Sequence, residues 1–434
     1  MRSRRHPANS LERIGAPPMR AILRRPPWLV SLGVAAAVLP LFLSPAATGV
    51  ATNMLIAALF ALAFNLLIGQ GGMLSFGHAA YFAIGAFGTV HAMTAVERGT
   101  LWLPTPLLPL AGALAGLITG VVAGYFATLR SGVYFSMVTL AIAELFHTLA
   151  PNMKEAFGGE SGLTSMRQPW LGLDFGSESE VYGLVLAWVL IAGLGLYLYT
   201  RTPFGRLTVA LRENERRIAF LGFDPHLSKV LVFAVSATFA GLAGGLLAVV
   251  NESANYMQFG LGYSASVVLH TFIGGSTVFL GPALGAAALT LFGYVTSDLT
   301  RMWLLYQGLL FVAVMAVMPD GVGGFIVAQA RLAGSHPPSR LIAAYGFAAA
   351  SFICLVGAVV FTCEMLGNML SRDYLAQTAR LGGMQPIALF GRAWLPAAAG
   401  TWAVPLAAIA AGLVLARAAR GRGVAFGPKP ERSP

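Results

Sequence analysis

Charge is what this sequence lacks. Of 434 residues, 28 are Lys or Arg and 17 are Asp or Glu, 10% of the chain, against about 25% in an ordinary soluble domain. With 57% hydrophobic residues and a mean hydropathy of +0.73, a large soluble core is excluded. Repeated apolar runs of spanning length make the chain a polytopic membrane protein. Cysteine is as scarce: Cys354 and Cys363 lie in or beside one late apolar run, with neither a disulfide framework nor metal spacing. They read as small apolar residues and say nothing of redox compartment. Lysine occurs only at Lys154, Lys229 and Lys429, and none follows a glycine. A Gly-x-x-x-x-Gly-Lys-Ser/Thr phosphate loop is therefore absent, and the chain cannot hold ATP in one. No motif sets two histidines on one helical face for zinc, so neither a metal nor another cofactor is expected.

The formal net charge of +11 suggests nucleic acid only until its distribution is read. Seven basic residues fall in 1–27, six in 200–229 and five in 417–434. Basic residues at the ends of apolar runs report membrane orientation, whereas a nucleic-acid groove needs a folded domain to present them. No nucleic-acid partner is expected.

Apolar runs stand at about 28–45, 49–68, 73–95, 106–128, 133–150, 181–199, 228–250, 263–280, 282–299, 304–318, 342–363 and 395–416. The 304–318 run is short and 263–299 reads equally as one broken pair, so about 10–12 transmembrane helices are expected. The first run follows "MRAILRRPP" and ends near "SPAA", a signal-peptide-like pattern. Another apolar run begins almost at once, which favours an uncleaved span. The stretch 200–229 holds six basic residues against Glu213, Glu215 and Asp224, while 151–180 holds two against five acids. The positive-inside rule then makes 200–229 cytoplasmic and 151–180 external. Twelve crossings with both termini inside satisfy this and also put Arg130, Arg331 and Arg340 inside. A bacterial inner membrane is the expected location.

Glycine supplies 51 residues, many at small-xxx-small spacing: "GALAG" at 112–116, "GLAGG" at 241–245 and "GPALG" at 281–285. Small residues let backbones approach in lipid, and close packing is the reading for most. Two segments differ, "GQGGMLSFGHAAYFAIGAFG" (69–88) and "GGSTVFLGPALGAAALTLFG" (274–293). Each opens on a glycine pair within an apolar stretch, a pattern left by broken helices around a transport path.

Few strongly polar groups fall inside spans: Asn65, Ser75, His78, Glu144 with His147 three residues on, His270 and Asp298. A carboxylate in lipid costs several kcal/mol unless paired or wetted. For Glu144 a structural interhelical bond and a path role stand side by side; His78 and His270 read first as packing histidines. "GESG" at 159–162 matches a Gly-x-Ser-Gly protease motif, but its serine sits in an acidic loop without an evident histidine.

One short stretch breaks the rule of low charge. "RENERR", Arg212–Arg217, packs two acids and three arginines into six residues. Thr202 and Pro203 make a helix start, Gly222 and Pro225 a stop. Leu211, Ile218 and Leu221 are expected on one side, with Arg212, Glu213, Arg216 and Arg217 on the other and Glu213–Arg217 as an i,i+4 pair. The expectation is one amphipathic helix at the cytoplasmic surface. It is either a solvated linker or a docking helix for a soluble partner.

At this point a resemblance is specific. "RTPFGRLTVALRENERRIAFLGFDPHLSKVLVFAVSATFAGLAGGLLA" (201–248) closely resembles the coupling-loop region of branched-chain amino acid ABC transporter permeases of the LivM type. "NLLIGQGGMLSFGHAAYFAIGAF", "LRSGVYFSMVTLAIAEL", "FGGESGLTS", "GGSTVFLGPALGAA" and "GLLFVAVMAVMPDGVGG" follow the same family's order, over about 50–327. "GGESGL" matches the family's Gly-Gly-x-x-Gly-Leu loop, which removes the protease reading. The resemblance implies an all-α permease bundle working with a homologous second permease, two cytoplasmic ATPases and an external solute-binding protein. It implies no enzyme activity for this chain. Arg212, Glu213, Asn214, Glu215, Ala219 and Gly222 match the loop that receives the ATPase. Asn65, Gly71, Gly72, Ser75, His78, Tyr134, Thr139 and Glu144 match polar or glycine positions expected near the path. The implied organisation is a basic tail (1–27), a permease domain (28–333) with its coupling loop (200–229), and a two-span extension (334–434) beyond the usual end of the family. Branched-chain and other amino acids, urea and short amides are substrates of such permeases. An ion-gradient-driven transporter and a membrane anchor are the competing classes. The first wants several mid-span carboxylates, and the second has no use for polar residues in the glycine-rich segments.

Overall fold

The computed structural model describes residues 36–172, 174–333, 338–381 and 383–420. The expected tails at 1–27 and beyond 420, and residues 28–35 of the first run at 28–45, lie outside the described residues. Helices dominate. Chain order gives α1 (Pro45–Asn65), α2 (Ala79–Glu97), α3 (Pro109–Ala127), α4 (Val133–Leu149) and α5 (Glu178–Arg201). The short α6 (Pro203–Glu213) and α7 (Glu215–Phe220) precede α8 (Pro225–Asn251), α9 (Leu261–Gly274) and α10 (Gly281–Leu299). Next come α11 (Trp303–Val317) and α12 (Gly321–Ala333), then α13 (Pro338–Met369), α14 (Arg372–Leu381) and α15 (Ala399–Arg420).

Eight helices among the described residues are long and apolar enough to cross a membrane, or up to nine if the pair Trp303–Val317 and Gly321–Gln329, bent by 42°, counts as one span. The run expected at 263–280 is a helix of 14 residues that stops at Gly274, and α10 has 19 residues. At 1.5 Å per residue the former falls short of the roughly 30 Å hydrocarbon core. Glycine, not polarity, ends it. Gly275 adopts φ +93°, where a side chain is strained.

α8 is the axis of the bundle, buried along most of its length. Its glycines meet glycines. A Cβ on Gly112 of α3 would sit 2.7 Å from the Gly241 carbonyl oxygen and 2.7 Å from that of Gly85 in α2. Three helices therefore touch backbone to backbone at this level, which is the packing expected of the small-residue pattern. The outer faces of α3, α4 and α5 expose Leu114, Ile118, Val122, Met137, Leu145, Ile191 and Leu194, as helices facing lipid do.

The loops sort to two ends. At one, Thr105 donates to the Gln168 carbonyl at 2.6 Å, Ser165 to Glu97 at 2.9 Å, and Arg167 pairs with Glu252 at 3.0 Å. There Leu163–Thr164 and Ser253–Ala254 pair as a two-stranded antiparallel ribbon. At the other end, Thr128 contacts His226 at 3.2 Å and Lys229 pairs with Glu215 at 2.7 Å. Because α3 and α8 run from one end to the other, the acidic 151–180 and basic 200–229 stretches lie at opposite ends. Ser161 of "GESG" donates only to the Gly158 carbonyl at 3.1 Å, in a turn where Gly158, Gly159 and Gly162 have positive φ.

The extension is joined to the bundle, not hung from it. Ser351 of α13 donates to the Gly412 carbonyl of α15 at 2.7 Å. Glu364 of α13 accepts from the Thr300 hydroxyl and, at 2.8 Å, from Tyr306 of α11.

Candidate translocation and coupling site

The first glycine-rich segment is a break in the middle of the bundle. α1 ends at Asn65, and a π-turn follows over Leu66–Gln70. Gly72, at φ +68°, turns the chain out of the helix. Backbone then runs unpaired by helix or sheet until α2 begins at Ala79. In lipid each unmet backbone group costs several kcal/mol, so such a stretch survives only when side chains complete it. Hydroxyls do so here. Ser136 donates to the Leu74 carbonyl at 2.6 Å, Thr139 Oγ1 accepts from Phe76 N–H at 3.3 Å, and Ser264 Oγ accepts from Ala79 N–H at 3.3 Å. Gly77 lies so close to the Thr139 carbonyl that a Cβ there has no room.

His78 is enclosed by Phe60, Phe64, Tyr81 and Phe233, with ring centroids 5.5 Å away for Phe64 and Tyr81. Ser236 gives its single proton to the Ala63 carbonyl at 2.6 Å. Its oxygen is then the acceptor for His78 Nε2 at 3.0 Å, which assigns the proton to Nε2 from the network. Asn65, Ser75, His78 and Thr139 are all buried; they seal the break. Tyr134, 70% exposed, and Glu144, beside His147 at 3.9 Å, instead lie on the open face of α4. Gly71 is buried and Gly72 exposed.

The charged loop is two helices. Thr202 caps α6 by accepting from Gly205 N–H at 3.1 Å, with Pro203 in the first position, as the sequence indicates. At Asn214 the backbone turns extended (φ −161°, ψ 102°) and the Asn214 side chain caps α7, accepting from Arg217 N–H at 3.1 Å. One continuous helix is thus corrected to a helix–break–helix. An asparagine able to cap offers the backbone a competing hydrogen bond. Glu213 and Arg217 fall on either side of the break. Leu211 and Ile218 are buried, whereas Leu221 is 64% exposed and does not share their side.

Two of the expected docking charges bond to the bundle from its surface. Arg212 donates through its guanidinium to the Gly69 carbonyl in the π-turn. Its methylenes cover Gly72, where a Cβ would lie 2.8 Å from Arg212 Cγ. Glu215 pairs with Lys229, and Ser131 bridges both, donating to Glu215 at 3.2 Å and accepting from Lys229 at 2.6 Å. Glu213, Arg216, Arg217 and Ala219 are exposed, as Arg212 is, beside Phe220 at 90% exposure, but make no bond to the bundle through their side chains among the described residues. Gly222, at φ +85°, closes the loop.

The second glycine-rich segment meets the first. A Cβ on Gly69 would sit 2.8 Å from the Ser276 carbonyl oxygen, and Gly275 and Gly321 are in backbone contact, a built Cβ on Gly321 lying 2.5 Å from Gly275 Cα. Contact therefore runs from Arg212 to Gly69, to Ser276 and on to Gly321. Ser131, Ser136, Lys229, Ser236 and Ser264 were not singled out from sequence. A serine in an apolar helix is common, and only a partner across the bundle marks it.

A family model described as branched-chain amino acid transport system / permease component matches residues 46–319, more than half of the chain. The chain belongs to that family. Among curated proteins, the permease is 29% identical over 320 residues to the high-affinity branched-chain amino acid transport system permease protein LivM of Escherichia coli, covering 68% of this chain and 74% of that one. It is 32% identical over 216 residues to the probable LivM of Methanocaldococcus jannaschii (45% and 61%). With the autoinducer 2 import system permease protein LsrC of Salmonella paratyphi B it shares 28% over 218 residues (47% and 60%). No solved structure matches. The family match ends before α12, so α13–α15 lie outside it.

Proposed function

We propose that this permease is the membrane subunit of an ATP-driven importer for branched-chain or related amino acids, in a bacterial inner membrane with the 200–229 end cytoplasmic. It works with a homologous second permease, cytoplasmic ATP-binding subunits and an external solute-binding protein. Residues 28–333 form the permease domain and 334–434 an accessory extension. The observation that carries this reading is the Arg212–Gly69 bond, because it ties the surface loop to the broken helix at the centre of the bundle. A motor that pulls α6 and α7 thereby pulls the break, and two-state closure of the motor becomes movement of spans.

The exposed Glu213, Arg216, Arg217, Ala219 and Phe220 form the gripping face, with charges fixing register more than supplying affinity. Arg212 and Glu215 transmit instead of touching the motor. Tyr134 and Glu144 support a second permease or a wet path against α4, since a half-exposed carboxylate in a span needs one or the other.

The test is purification in mild detergent from the native host with mass spectrometry of what accompanies the chain. Wild type should bring an ATPase and a second permease, and Glu213→Lys combined with Arg217→Glu should lose the ATPase while keeping the permease. Recovery of the chain alone, stable and driven by an ion gradient in vesicles, would overturn the reading.

A further inference from the structure

Where the first break is packed shut, the helices of the second leave room. Between α9, α10 and α11 is a cleft of about 310 Å³, open on one side, lined by Ser266, His270, Thr290, Tyr294, Trp303 and Gln307 among others. Its size is at the lower end of the roughly 300–1,000 Å³ of small-molecule pockets. The cleft lies toward the end of the bundle opposite the Arg212 loop, because Trp303 and Gln307 open α11 next to the α10–α11 turn.

His270 is 9% and Gln307 7% exposed. Among the described residues neither side chain has a hydrogen-bond partner in the protein, and the same holds for the Thr290 and Tyr294 hydroxyls. Two buried, unpartnered polar side chains between apolar helices, with the partly exposed Thr290 and Tyr294 hydroxyls beside them, are costly unless water or a polar solute meets them. Leu289 and the Trp303 ring give the same cleft an apolar wall. No lining residue is a carboxylate, Lys or Arg, so the cleft offers donors and acceptors without net charge.

We infer that this cleft is a binding station on the transport route for a small, net-neutral solute with polar and apolar ends, such as a zwitterion with an aliphatic side chain. This rests on the permease reading above. Gln307 and His270 hold the polar end, and Leu289 and Trp303 receive the apolar end. Glu364 is a positioning residue, because its bonds to Thr300 and Tyr306 fix the turn that carries Trp303 and Gln307.

The experiment uses the complete transporter in intact cells, with Cys354 and Cys363 replaced by Ala. Ser266→Cys and Ser297→Cys in the cleft and Leu291→Cys on the outer face of α10 are treated with a membrane-impermeant thiol reagent, with and without saturating leucine. Thiolate forms where water reaches, so the cleft positions should react at least about tenfold faster than Leu291→Cys. Leucine should slow Ser266→Cys several-fold. Gln307→Leu should cut leucine uptake by about tenfold, the loss that follows when roughly 1.4 kcal/mol of solute binding is removed, with the ATPase still co-purifying.

Equal, slow reaction at all three positions would mean lipid fills the cleft and would overturn the inference. So would fast reaction that leucine leaves unchanged together with full uptake by Gln307→Leu. Loss of the ATPase from the unmodified complex would instead defeat the permease reading, while thiol access still reports on the cleft.

Discussion

The segments Gly69–His78 and Gly274–Leu280 both interrupt apolar helices at glycine, and the two breaks touch through Gly69 and Ser276. Their surroundings differ. Around the first, Ser136, Thr139, Ser264 and Arg212 each reach a backbone group, and a ring of aromatics encloses His78. Near the second, His270 and Gln307 are also buried, yet they face a cleft and have no protein partner among the described residues. A break whose backbone is held by side chains and whose remaining unmet atoms, Asn65 Oδ1, His78 Nδ1 and Tyr81 Oη, are sealed away from any opening is a fixed joint. One whose unmet polar neighbours face an open cleft has chemistry left for a solute. The first is therefore assigned to transmission and the second to binding.

The strongest way to break this contrast is to overfill the first joint. Gly77→Leu has no space against the Thr139 carbonyl, and overpacking a tight core costs typically 1–3 kcal/mol or more. Loss of the monodisperse peak in detergent size-exclusion chromatography is expected, whereas Gly293→Ala beside the cleft should keep it. Next in size is Arg212→Ala. Removing the donor to Gly69 should lower thermal stability by about 1–3 kcal/mol, and leucine uptake should fall further than ATPase binding does, measured by transport beside co-purification. Equal loss of both would make Arg212 a docking residue and erase its transmitting role.

Thr139→Val sharpens the contrast at smaller scale. It leaves Phe76 N–H unmet and should cost about 1–3 kcal/mol in unfolding free energy, while Thr290→Val, whose hydroxyl bonds nothing among the described residues, should be near neutral in stability and lower uptake alone. The smallest effect is expected from Glu144→Gln. A pair as exposed as Glu144–His147 is worth about 0–1 kcal/mol, so stability should hold. Uptake unchanged across pH would exclude an essential charge there.

Much of the architecture was legible. Low charge and long apolar runs require a helical bundle, because only helices meet their own backbone needs in lipid without a closed barrel. The Thr202–Pro203 start, the Gly222 stop and the close packing at Gly112, Gly241 and Gly285 follow from local chemistry. The candidate site was legible only in part. One glycine-rich motif and one helix face bring Asn65, Gly71, Gly72, Ser75, His78 and Thr139 to the same break. That they seal the bundle instead of lining a cavity depends on partners 60 and more residues away. The break at Asn214 was missed because helical periodicity continues across it, and the cap that ends the pattern gives no periodic signal.

By itself the sequence determined the class of protein, the opposite placement of its acidic and basic loops and the two places where helices must break. These follow from properties a residue carries alone: its hydropathy, its charge, and for glycine the freedom to take positive φ. Tertiary structure alone decided which polar residues are satisfied. Arg212 and Glu213 are neighbouring charged residues, both exposed at the surface, yet only the Arg212 guanidinium reaches in to the Gly69 carbonyl. His78 and His270 are both histidines in apolar segments, yet only one finds a serine. Hydrogen bonds have a reach of about 3 Å and a direction, so whether a partner stands there is fixed by how helices from distant parts of the chain come to rest against one another.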